Sequence, residues 1–153
     1  QIAMSAMDNW GDEIKEKTVP VLVIIEGLTM YLSEADVQRI FAVISGRFQQ
    51  ATVFVEIMNP MIVKRFKEKS IDASNAKFVW GVKNGAALAK LMPNFQFREE
   101  HSLTEGMAAF VPIYKLLDKL PFVRNISNKI IILDKQLSGE KTENNNDKGR
   151  FSS

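Results

Sequence analysis

Glu26 and Gly27 are the first residues whose types and placement suggest chemistry. They follow Val21-Leu22-Val23-Ile24-Ile25, an unbroken apolar run. Such a run suits a strand covered on both faces, as in a parallel sheet. In open α/β sheets, ligands bind beyond the carboxyl ends of the strands. A carboxylate there can hold a cationic group such as an ammonium, and glycine lets a ligand approach the backbone closely. The plainer reading is that Glu26 caps a loop and Gly27 only permits a turn. Glu56 and Asn59 stand at the end of a second β-rich run, Ala51 to Met58. Glu56 could also face a ligand, although pairing or solvation at a sheet edge explains it more simply.

The remaining candidates carry weaker signals. His101 lies among Glu99, Glu100 and Ser102; a structural or exposed role fits it better than acid–base work. Trp80-Gly81 after Phe78 could wall an apolar pocket, but such aromatics more often fill a core. Met4, Met7 and Met30 divide between the same two readings. Lys64, Arg65, Lys67 and Lys69 read as a solvated helix face. Neither a G-x-G-x-x-G fingerprint nor a P-loop occurs.

Composition narrows the classes further. The 153 residues can bury one real core, and 46% hydrophobic with 25% charged residues is ordinary for a globular domain. Net charge is +2, without the clustered basic excess of a nucleic-acid binder. With no cysteine and one histidine, disulfides and thiolate metal sites are excluded and no metal is expected. No apolar run reaches the roughly 18 residues of a membrane span, and no signal-peptide pattern opens the chain. The lack of cysteine fits a reducing compartment, and the expected location is cytoplasmic.

The elements that must position these residues follow from periodicity and punctuation. Asp8 or Asn9 predicts the cap of a short helix reaching Lys17. Ser33 with Asp36 reads as a capping box. Val37, Ile40, Phe41, Ile44 and Phe48 then share one helical face, and the helix should end near Arg47. With the flanking runs this makes a strand–helix–strand unit of parallel strands. Met61 to Lys69 and Asn84 to Leu91 predict two short helices, with Ser70 to Asn75 a polar loop between them. Asn94 to Leu103 alternates weakly as a strand. Thr104 to Leu120 contains a helical stretch, broken at Pro112 and stopped by Pro121. Lys129 to Asp134 is a short buried strand. From Gln136 onward the polar, asparagine-rich tail is expected to be disordered. The fold class is α/β, with residues 1–135 as one domain and 136–153 as a tail.

PVLVIIEGLTMYLSEADVQRIF resembles the family of leucine carboxyl methyltransferases and tetracenomycin-type O-methyltransferases, which carry a strand, Glu-Gly, an apolar residue, then Met-Tyr and an acidic-capped helix. SAMDNW, Ser5 to Trp10, resembles the stretch before that strand. FVWGVKNGAALAKLMPNFQFREEHSL resembles the later Trp-Gly block. The resemblance implies the C-terminal half of a Rossmann-like class I sheet, spatial order 4-5-7-6 with the last strand antiparallel. It implies S-adenosylmethionine as cofactor, with Glu26, Gly27 and Leu28 along its pocket and Ser5 and Ala6 near the adenine. It places Tyr31 near the reacting centre and, with Trp80, suggests an apolar or aromatic small-molecule acceptor. The implied reaction is methyl transfer to a carboxylate or hydroxyl oxygen, resting mainly on positioning, which can be worth about 7–11 kcal/mol. No catalytic base is assigned. The family's glycine-rich cofactor loop is absent from the sequence. The alternative is a non-catalytic interaction module that keeps the sheet, and an unpaired Val21–Ile25 edge is expected to promote a homodimer.

Overall fold

The computed structural model describes residues 1–69, 77–103 and 128–136, at 66–69 by the backbone alone. β1 (Val21–Ile25), α1 (Glu34–Arg47) and β2 (Ala51–Ile57) form the expected strand–helix–strand unit. β1 and β2 pair in parallel, Val21 opposite Ala51 through Ile25 opposite Val55. α2 (Pro60–Lys69) and α3 (Gly85–Leu91) precede β3 (Phe95–Ser102), and β4 (Lys129–Lys135) completes the sheet. The strand order is β1-β2-β4-β3, with β4 antiparallel to both neighbours. This is a mixed four-stranded α/β sheet. The predicted 104–120 helix, the 70–75 loop and the tail beyond Gln136 lie outside the described residues. Gln136 itself donates its amide to the Asn94 carbonyl.

α1 forms because its first turn is capped and one face is apolar. Ser33 accepts from the Asp36 amide, and Asp36 accepts back from the Ser33 amide. The Ser33 hydroxyl also donates to Asp36 at 2.6 Å. These bonds, the side-chain bond foremost, hold the Asp36 carboxyl below its ordinary value. Val37, Ile40, Phe41 and Ile44 are buried against the sheet, each contributing about 1.5–3 kcal/mol if fully withdrawn from water. Phe41 meets Phe95 edge-on at 4.9 Å, which ties the β1–β2 half to β3. At the far end of α1, the Lys135 ammonium donates to the carbonyls of Ser45 and Phe48. A cation there also complements the helix dipole.

One predicted element is different. No helix runs from Asp8 or Asn9 to Lys17; a single 3-10 turn, Trp10–Glu13, stands there. The Asp8 carboxylate accepts from the Ser5 amide, so it closes the preceding turn and is not available as a helix cap. Asn9 makes no side-chain cap bond. Trp10 packs near Phe48, with ring centroids 6.4 Å apart, and donates from Nε1 to the Ala6 carbonyl. Without caps and without an apolar stripe, so short a helix cannot offset its nucleation cost.

Candidate functional site

The carboxyl end of β1 runs directly into the Glu26–Tyr31 loop. Gly27 has φ +61°, a left-handed conformation that favours glycine. A β-carbon built there would meet nothing within 4 Å, so its surroundings are open. Its amide donates to the Glu56 carboxylate at 2.9 Å. The Thr29 hydroxyl, fully buried, donates to the Glu56 carbonyl at 2.6 Å. Asn128, just before β4, donates from Nδ2 to the other carboxylate oxygen of Glu56 at 2.7 Å. One residue of β2 therefore fixes both the turn and its floor.

This corrects the sheet-edge reading of Glu56. β2 lies between β1 and β4, so Glu56 is interior, and only 9% of it is exposed. It is paired, but with neutral donors. A buried carboxylate without such donors would be costly.

The Trp80-Gly81 segment joins the same region. Val79 and Trp80 donate their amides to the Met30 carbonyl at 2.8 and 3.4 Å, and Val82 donates to Met58 at 3.0 Å. Gly81 is required by this approach: a β-carbon there would stand 2.5 Å from the Met58 carbonyl oxygen and 2.9 Å from Val63. Trp80 donates from Nε1 to Glu34 at 3.2 Å. Tyr31 faces Phe78 with ring centroids 5.2 Å apart. Met30 is buried with Met58 and Val63, as a gap filler would be.

The structure thus sets Trp80 against the turn that follows Gly27 and Leu28, through the Met30 carbonyl next to Tyr31, with Glu26 exposed at the head of the loop. Ser5 and Ala6 belong to a separate turn. There the Ser5 hydroxyl accepts from the Met7 amide, and Arg39 of α1 donates to the Met7 carbonyl at 2.6 Å. Sequence reading missed Thr29 and Asn128, and it misplaced Glu56. A threonine in an apolar block is a weak signal for an anchoring hydroxyl, and Asn128 carries none.

Other candidates resolve as surface or support. His101 is exposed, with Nε2 3.3 Å from Glu99. Lys64 and Arg65 are exposed. Glu100 accepts from the Gly85 amide at 2.9 Å and from Lys129 at 2.8 Å. Burial pushes its pKa up, but these two donors together outweigh it and hold the carboxyl below its ordinary value. No helix among the described residues is long and apolar enough to cross a membrane.

No protein-family profile matches the chain. Among known proteins, it is 28% identical over 100 residues to the tetracenomycin polyketide synthesis O-methyltransferase TcmP of Streptomyces glaucescens. The match covers 65% of this chain but only 37% of that relative's length. The chain is thus distantly similar to one O-methyltransferase, in keeping with the resemblance carried by the block from Glu26 to Leu32.

Proposed function

We propose that this chain forms part of an S-adenosylmethionine-dependent O-methyltransferase, with the Glu26–Tyr31 loop as one wall of the cofactor site. On this reading β1, β2, β3 and β4 are strands 4, 5, 6 and 7 of the family sheet. The observation that carries the proposal is the loop itself. An exposed carboxylate precedes a left-handed glycine with open space around it, held rigidly by Glu56 at the carboxyl end of a parallel strand. That arrangement fits a cationic ligand lying close to the backbone.

Bound there, the cofactor would supply an activated methyl group on a sulfonium. Glu26 would attract the cofactor's positive charge, and Gly27 and Leu28 would line its path. Tyr31 and Trp80 would border the methyl acceptor, a small molecule with an apolar or aromatic body. Ser5 and Ala6 would approach the adenine. The family's glycine-rich loop is not in this sequence, so these residues hold the cofactor from one side.

Weak binding is therefore expected from the 153-residue chain alone. Amide shift mapping by NMR with S-adenosylmethionine should move Gly27 and Leu28 in the fast-exchange regime, and Glu26→Gln should reduce the response. Two outcomes oppose the reading: no shift in the loop at millimolar ligand, or micromolar affinity, which one wall cannot supply.

The partner proposal rests on β1. Among the described residues it is an edge strand, and Leu22 and Ile24 are 55% and 64% exposed. Unpaired edges with apolar side chains template association. Light scattering should show mass rising with concentration and falling back in Ile24→Lys; a strict monomer at high concentration contradicts it.

A further inference from the structure

A separate cleft of about 430 Å³ opens between the Trp10–Glu13 turn and α1, lined in part by Asp12, Lys17, Arg39, Gly46 and Arg47. Its size lies within the range of small-molecule sites. Three of its side chains are cationic and one is acidic. Among the described residues, no ion pair within 4 Å engages Lys17, Arg39 or Arg47. Asp36 feels Arg39 only as a lesser Coulombic influence.

Arg47 is the informative residue. Its Nε is buried and has no hydrogen-bond partner among the described residues. Buried donors are nearly always satisfied, and charged ones strongly demand it. An arginine in the last turn of a helix ordinarily serves the terminal carbonyls. Here Lys135 takes the carbonyls of Ser45 and Phe48, so that role is filled. The Trp10–Glu13 turn also closes tightly over the Arg47 stem. A β-carbon on Gly11 would lie 3.0 Å from Arg47 Cβ and Cγ. Arg39 is fixed at the same cleft through one of its five N–H groups, which donates to Met7. The cleft thus holds constrained guanidinium groups without a matching set of carboxylates.

We propose that this cleft binds a compact molecule bearing two or more oxyanion charges, a phosphate ester or a di- or tricarboxylate, through Lys17, Arg39 and Arg47. Guanidinium groups suit such oxygens because they donate in a planar fork. Asp12 is the one opposing charge in the lining, so the cleft keeps a cationic excess.

The test is an NMR titration of the full chain at constant ionic strength, with pyrophosphate in one arm and citrate in the other. Saturable shifts at Gly11, Gly46 and Arg47 are expected in at least one arm; the responding arm identifies phosphate or carboxylate chemistry. Arg39→Gln and Arg47→Gln should each weaken binding about tenfold or more. Should Arg47→Gln lose its dispersed spectrum, Arg39→Gln and Lys17→Gln decide the matter. No saturable shift in either arm, or equal affinity in the folded variants, overturns the proposal.

Discussion

The two halves of the sheet use carboxylates in opposite ways. At the carboxyl ends of β1 and β2, Glu56 is buried and accepts from a backbone amide and an asparagine, both uncharged. On the β3–β4 side, Asp134 meets Arg98 at 2.5 Å with the two side chains 34% and 50% exposed, and Glu100 meets Lys129. The first arrangement fixes a loop. The second holds a surface. A buried acceptor cannot be lost cheaply, whereas an exposed ion pair such as Arg98–Asp134 is screened and contributes little; the Glu100–Lys129 pair lies between, its side chains 31% and 12% exposed. The half that carries the candidate chemistry is therefore also the half with the less forgiving polar contacts.

Breaking Glu56 should give the largest effect. Glu56→Ala releases the Gly27 amide and Asn128 Nδ2 from their shared acceptor and empties buried volume. A loss of about 3 kcal/mol or more is expected by urea unfolding. Glu56→Gln keeps the volume and should cost less, yet still raise hydrogen exchange at Gly27. Unchanged exchange there would mean that Glu56 does not hold the turn.

Gly81→Ala ranks next. Its β-carbon meets a backbone carbonyl, which cannot swing aside as a side chain can. A cost of about 2 kcal/mol is expected from overpacking, together with looser contact between Phe78 and Tyr31. Wild-type stability in the variant would uncouple the Trp-Gly segment from the loop.

Acid should expose the β3–β4 half. The folded Glu100 carboxyl is held below its ordinary value. Its contribution is thus present above that value and lost as pH falls through the lower folded value. Glu100→Gln should flatten the stability curve in that acid window and leave its shape unchanged near neutrality. A curve of unchanged acid slope would remove Glu100 from the account. The smallest effect belongs to Arg98→Ala, expected to cost under about 1 kcal/mol because the pair is exposed. A loss comparable to that of Glu56→Ala would erase the contrast between the halves.

How much of this was legible in the sequence depended on the range of the contacts. The strand–helix–strand unit could be read because its signals are local. Continuous apolar runs mark β1 and β2, and Ser33, Asp36 and the Val37–Ile44 stripe mark α1. The Glu56 network could not be read, since its donors are 29 and 72 residues away. The same holds for Lys135, which reaches the end of α1 across 90 residues. The failed helix at Asp8 shows the converse: a cap residue followed by charges looks helical until its side chain is committed to another turn. For the candidate site, position after an apolar run singles out Glu26 and Gly27, and only the family resemblance gives them a cofactor role. The approach of Trp80 to the Met30 carbonyl needed the fold.

On the proposed reading the Glu26–Tyr31 loop faces S-adenosylmethionine, and photolabelling tests this. The chain is irradiated with methyl-labelled S-adenosylmethionine, digested with trypsin, and the labelled peptide is sequenced. The account predicts label in residues 18–39, concentrated between Glu26 and Tyr31 and diminished in Glu26→Gln. Label confined to other peptides, or incorporation that excess unlabelled cofactor does not reduce, would contradict it.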